Sequence, residues 1–187
     1  SVNEDSALSF TVASNTFNDV DAGDSMTYSA TLADGSALPS WLSFNTSTLA
    51  FSGTPVNANV GNINVKVTAT DGSSATVSDT FTLTIANTND APTAVSLSAT
   101  AINENSSGAV VGNLSTSDVD SGDSFTYTLS GDDKDSFEVV NGQLKLKSSV
   151  SADYETKTSY AVTVTSTDSG SATTSQSFTV TVNNVNE

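Results

Sequence analysis

The sequence predicts an all-β chain of two tandem antiparallel Greek-key β-sandwiches joined by a short linker, on three observations. Apolar residues recur with a period of two, as at Ile63, Val65, Val67 and Ala69 or at Tyr160, Val162 and Val164, with no run at helical spacing. Turn dipeptides such as Asp34-Gly35, Asp71-Gly72 and Asn141-Gly142 punctuate these runs at short intervals. A decapeptide also repeats: Asp19 to Tyr28 reads DVDAGDSMTY and Asp118 to Tyr127 reads DVDSGDSFTY. Self-similarity at such spacing means two copies of one supersecondary plan.

Each copy runs in the same order, offset by about 97 residues. An Asn-Glu pair opens it, at Asn3-Glu4 and Asn103-Glu104, at the start of the first strand. The Asp-x-Asp motif follows in a loop, and a Val-rich strand then ends on Asp71 or Asp168. An alternating last strand closes the copy, with Phe81, Leu83 and Ile85 in the first and Phe178, Val180 and Val182 in the second. Asn87-Thr88-Asn89-Asp90 or Asn184-Val185-Asn186-Glu187 comes next. The division is expected near Pro92, giving domains 1–91 and 92–187. Between Leu38 and Leu42, Trp41 is expected to pack into a core rather than offer a sugar platform, and Gly53 and Pro55 to form a tight turn.

Composition excludes several classes. The 187 residues are 36% hydrophobic, enough for two cores. The chain has no Cys, His or Arg, so it lacks disulfides, thiolate or imidazole metal ligands, an ordinary base near neutral pH and an oxyanion clamp. Ser and Thr are abundant but have no activator, so the chain is not expected to be an enzyme. Twenty-one acids against five Lys give a net charge of -16. That charge repels phosphate backbones and anionic lipid surfaces, which argues against nucleic acid and membrane partners. No apolar run approaches the ~20 residues of a membrane span. The opening at Ser1 reads as an internal point of a longer chain.

The acids recur at fixed places: Glu beside Asn, Asp-x-Asp, and Asp at a strand end. Carboxylates, Asn amides and backbone carbonyls are hard oxygen ligands, and Ca²⁺ takes six to eight of them. Single Asp residues suit turns for their own sake. The duplication, with the Asn-Thr-Asn-Asp linker between the copies, points instead to calcium.

Residues 93–187 resemble a bacterial-type cadherin module: Asn103-Glu104-Asn105, Asp118-Val119-Asp120, Asp153-Tyr154-Glu155, Asp168 and the 184–187 stretch stand at that family's motif positions. The first copy resembles the dystroglycan-type cadherin-like module, on Leu38-Pro39-Ser40-Trp41-Leu42-Ser43-Phe44 and Phe51-Ser52-Gly53-Thr54-Pro55. The resemblance implies a cadherin/Ig-like sandwich pair with calcium where modules meet. Carried over, the junction set is Glu4, Asn87, Asn89, Asp90, Asp118, Asp120 and Asp168, with backbone carbonyls from Thr88 and Ala91. Val56 and Ala58 stand where the second copy has Asp153 and Glu155, so one or two ions are expected there rather than three. Beyond the second module, Glu104, Asp153, Glu155, Asn184, Asn186 and Glu187 form a further candidate set. At the opposite pole, Asp19, Asp21 and Asp71 form a half-site.

Two functions remain open. One is a calcium-rigidified extender in a secreted or cell-surface bacterial adhesin, whose partners are neighbouring domains of the same chain. The other is calcium-dependent recognition of a polysaccharide or of another cadherin-like module.

Overall fold

The computed structural model describes residues 1–20 and 25–186; Asp21 and Glu187, both expected as ligands, lie outside them. The chain forms two units, Ser1–Thr88 and Asn89–Glu187. Apart from two 3-10 turns, Asn57–Asn59 and Lys134–Ser136, the regular structure among the described residues is strand.

The first unit contains β1 (Val2–Asn3), β2 (Leu8–Thr11), β3 (Thr27–Leu32), β4 (Leu42–Asn45), β5 (Ala50–Gly53), β6 (Gly61–Thr70) and β7 (Thr76–Ala86). Two sheets result, ordered β1-β7-β6-β3 and β2-β5-β4. The two-residue period of β6 buries Val65, Val67 and Ala69, while the intervening polar residues face outward. Against them the second sheet places Leu8, Leu42 and Phe51. The Phe51 ring lies tilted 4.6 Å from Phe44 in its own sheet and edge-on 5.6 Å from Phe81 in the other, and the second contact joins the sheets. Trp41 is half-buried against the same core.

Gly53 departs from the expected tight turn. It is the last residue of β5 and lies in the ladder opposite both Leu8 and Leu42. A Cβ at this position would lie 1.9 Å from the Trp41 carbonyl oxygen, so close backbone approach requires the glycine.

The second unit contains β8 (Ala94–Leu97), β9 (Ala101–Asn103), β10 (Val110–Ser117), β11 (Thr126–Ser130), β12 (Phe137–Val140), β13 (Gln143–Leu146), β14 (Ser159–Thr167) and β15 (Thr173–Asn183). Its sheets run β12-β13-β10-β8 and β11-β14-β15-β9. Val162, Val164, Leu144, Leu146 and Val180 fill the space between them. The β12–β13 hairpin turns on Asn141 and Gly142 alone, at φ 51° and 74°. Two successive positive φ angles are what a twisted two-residue hairpin demands, and Asn-Gly supplies them.

In both units the short strand before the Glu pairs in parallel with the last strand: Val2 opposite Ile85, and Ile102 opposite Val182. Glu4 and Glu104 therefore follow their strands rather than opening them. Each lies beside the chain as it leaves its own module.

Candidate metal centre

Glu104 is buried, and both carboxylate oxygens accept backbone hydrogen bonds: Oε1 from Val185 at 2.6 Å and Oε2 from Tyr154 at 2.9 Å. Those bonds, Val185 first, hold its pKa below the ordinary carboxylate value. One oxygen each from Glu104, Asp153 and Glu155 lie within 4.8 Å of one another. Asp153 accepts from the hydroxyl and backbone N–H of Thr156, which lowers its pKa as well. Asn184 donates to Glu155 Oε1 at 3.1 Å, bringing the tail to this pole. The structure groups Glu104, Asp153, Glu155 and Asn184.

Glu4 repeats the arrangement in part. It is buried, and Oε1 accepts the Thr88 N–H at 2.9 Å, while Oε2 is buried with no hydrogen-bond partner. Equivalent backbone bonds, Asp5 N–H to the Pro55 carbonyl and Asn105 N–H to the Ala152 carbonyl, align Pro55 with Ala152. Val56 and Ala58 thus fall opposite Asp153 and Glu155, and the first module has no acids there. Asn87 lies beside Asn57, whose amide donates to Asn87 Oδ1 at 3.4 Å.

A further cluster lies within the second module. Asp118, Asp123 and Asp168 bring one oxygen each within 4.8 Å of one another. Asp168 is buried; its Oδ1 accepts the Ala172 N–H at 2.8 Å and its Oδ2 accepts Asn89 Nδ2 at 3.0 Å. Asp118 Oδ1 accepts the Asp120 N–H at 3.0 Å, and Asp120 Oδ2 accepts the Asp90 N–H at 2.7 Å. Asp123 Oδ1 accepts the Ser169 hydroxyl at 2.6 Å. Asp118 Oδ2 and Asp123 Oδ2 are buried without partners. A Cβ on Gly170 would come 2.1 Å from the Asn89 side chain, so this glycine makes room for the linker residue.

The lysines engaged in ion pairs among the described residues sit elsewhere. They pair with Asp133, Asp135 and Glu138. Lys157 Nζ contacts Asp133 Oδ1 and lies 4.9 Å from the Tyr160 ring centroid, while Ala161 N–H donates to Asp133 Oδ2 at 2.7 Å. The Lys157 contact is the main reason the Asp133 pKa lies below its ordinary value.

The donor set therefore fits a hard divalent cation. It offers clustered carboxylates, buried oxygens without hydrogen-bond donors and, among the described residues, no ion pair to a lysine. Asp123 was absent from the sequence-derived set. It is the last acid of Asp-Val-Asp-Ser-Gly-Asp, three residues beyond the Asp-x-Asp pair and outside that motif. In the first module, Asp19 and Asp71 line one cleft of about 130 Å³. Asp71 Oδ1 accepts the N–H groups of Ser73 and Ala75, both at 2.8 Å, which is turn chemistry. Thr88 meets Glu4 through its N–H, and no contact of Ala91 bears on the site.

Comparison with known families agrees with this architecture. Residues 1–86 match the family described as Putative Ig domain, and residues 98–183 match the family described as Cadherin domain. The two matched stretches follow one another along the chain. No curated protein matches it. Among solved structures, PcdhgB3 EC1-4 is similar with a TM-score of 0.69 and 21% identity, over 86% of this chain and 41% of that one. Protocadherin Gamma B7 extracellular cadherin domains 1-4 give a TM-score of 0.62 and 26% identity, over 85% of this chain and 40% of that one. Mouse Cadherin-23 EC22-24 gives 0.59 and 19%, over 86% of this chain and 54% of that one. The chain thus spans about half or less of each, and at the lower identities the likeness is one of fold.

Proposed function

We propose that the chain is an extracellular, calcium-binding module pair with a non-enzymatic, adhesive or spacing role in a surface protein. One observation carries the proposal: Asp118, Asp123 and Asp168 converge with two buried oxygens lacking any donor. Three carboxylates so close repel one another unless a cation joins them. Asp120 and Asn89 stand beside the set and would complete it. The Asn89 amide nitrogen, now against Asp168 Oδ2, serves as a neutral substitute for that charge, and a half-turn would present Oδ1 instead.

The linker residues connect ion binding to mechanics. Asn89 bonds to Asp168 and Asp90 to Asp120, while Thr88 is held by Glu4. An ion at the second module's acids would fix Asn89 and Asp90 and so restrict the chain on which the modules hinge. The remaining junction candidates, Asn87 and Ala91, belong to the same proposal. A weaker second set, Glu104, Asp153 and Glu155, would serve at the far pole of the second module. A recognition role for another cadherin-like module is the second reading, supported by the cadherin extracellular domains among the similar structures.

Calorimetric titration of the chain with CaCl₂ tests the proposal directly. Binding at a dissociation constant of about 10⁻⁴ to 10⁻³ M is expected. Absence of heat and of any thermal shift at 10 mM calcium overturns it. Small-angle scattering with calcium and with chelator then tests stiffening separately from binding.

A further inference from the structure

Three hydroxyls meet inside the second module. Thr116 Oγ1 lies 2.8 Å from Ser166 Oγ and 3.0 Å from the Tyr127 hydroxyl. Thr116 belongs to β10 in one sheet, while Tyr127 and Ser166 face each other across the β11–β14 ladder of the other. These hydrogen bonds therefore cross the sandwich. Ser166 is fully buried, and Thr116 and Tyr127 are half-buried. A hydroxyl donates once and accepts twice, so Thr116 can give its proton to one neighbour and accept from the other.

A sandwich of this plan does not need such a hub, because the first module fills the same corner with apolar groups. Phe17 precedes Asp19 by two residues as Thr116 precedes Asp118, and Ala69 precedes Asp71 as Ser166 precedes Asp168. Tyr28 opposes Ala69 as Tyr127 opposes Ser166. Phe17 and Ala69 are buried, and the Phe17 ring lies tilted 6.1 Å from Tyr28. Hydroxyls at this corner add no apolar burial and must keep their partners to offset desolvation. What they contribute is direction and distance.

The acids stand a short way along the chain from each hydroxyl. Asp118 lies two residues beyond Thr116, Asp168 two beyond Ser166, and Asp123 four ahead of Tyr127. These are the acids that bring one oxygen each within 4.8 Å of one another. Calcium affinity depends on site rigidity as well as charge, since the oxygens must stand about 2.3–2.6 Å from the ion. Apolar surfaces slide over one another by fractions of an ångström at little cost, whereas a hydrogen bond weakens steeply when its geometry is lost.

We infer that Thr116, Tyr127 and Ser166 are positioning residues for the cation site of Asp118, Asp123 and Asp168. They stand outside the ligand set and hold its three acids at the spacing the ion requires. The inference rests on the calcium reading above. It adds that the hub serves affinity, where the first module's apolar corner serves packing alone.

Calcium titration of the intact, isotope-labelled chain, followed by amide NMR, tests it. The Asp120 and Ala172 amides, which donate to Asp118 and Asp168, report on this site. Those of Tyr154 and Val185, which donate to Glu104, report on the module's other acids. The double variant Thr116→Val/Ser166→Ala removes the hub without leaving a buried hydroxyl unpaired. It is expected to raise the calcium dissociation constant at least tenfold at the first pair, to leave any response of the second within twofold, and to melt no lower than wild type in EDTA. Thr116→Ser keeps the hydroxyl and is expected to bind within threefold of wild type. Wild-type affinity in the double variant overturns the inference, as does a loss in Thr116→Ser equal to that in the double variant. A lower EDTA melt accompanied by equal weakening at both pairs also overturns it, because the hub then supports the fold and not the site. Absence of any calcium response in the wild-type chain is a separate failure, which removes the calcium reading and the inference with it.

Discussion

Glu104 Oε1 accepts the backbone N–H of Val185 at 2.6 Å, so a side chain just past the second module's short parallel strand holds the chain just past its last strand. The first module repeats the bond between Glu4 and Thr88. A carboxylate spent on main-chain donors is anchored whether or not an ion is present.

The Glu104 pKa lies below its unfolded value, so ionisation and folding are coupled. A lowered carboxylate pKa contributes stability that is present above the unfolded value, near 4.5, and lost as pH falls through the folded one. In calcium-free buffer the melting temperature of the second module should therefore fall between pH 5 and pH 3. Glu104→Gln should melt lower at pH 6 and show a shallower dependence over that window. Identical slopes would assign the pH dependence elsewhere.

Asp123→Ala should weaken calcium binding at least tenfold, whereas Asp135→Ala, at an exposed acid paired with Lys134, should leave it unchanged. At 10 mM calcium the wild-type chain should gain on the order of 1–3 kcal/mol from ligand linkage. Paired melts with calcium and with EDTA measure that gain and its loss in Asp118→Ala.

Lys157 joins an ion pair with Asp133 to a contact over the Tyr160 ring. Lys157→Ala should cost about 1 kcal/mol, since the lysine is partly exposed and screened. A double-mutant cycle with Asp133→Ala, read by urea denaturation, should show positive coupling.

Gly53→Ala should destabilise the first module by about 3 kcal/mol, because the new methyl collides with main chain rather than with a movable side chain. Denaturation followed by Trp41 fluorescence reports on that module alone.

Much of this was legible in the sequence. The period-two runs became β6 and β14 with the expected residues inside, and Asn141-Gly142 became a two-residue hairpin. The all-β class and the cadherin resemblance follow from such local signals. Gly53 was not legible, since its role depends on the Trp41 carbonyl, which only the fold brings near. Asp123 was missed because the decapeptide offers three acids and spacing does not say which turn inward. For Glu4 and Glu104 the sequence suggested ligands, and the added finding is that each already holds its module's exit segment. No local pattern could have shown that bond, because Glu104 and Val185 are joined only through the β9–β15 ladder.

That ladder has a mechanical meaning. β9 and β15 run in parallel, Ala101 opposite Thr181 and Asn183 opposite Asn103. Tension applied through the backbone ahead of Ala101 and beyond Asn183 pulls the two strands past each other along their length. Their hydrogen bonds are then stretched together rather than peeled one by one, and the module yields only when the whole set fails at once. In a domain built this way, resistance to traction is set by the shear of that ladder rather than by the summed stability of the core.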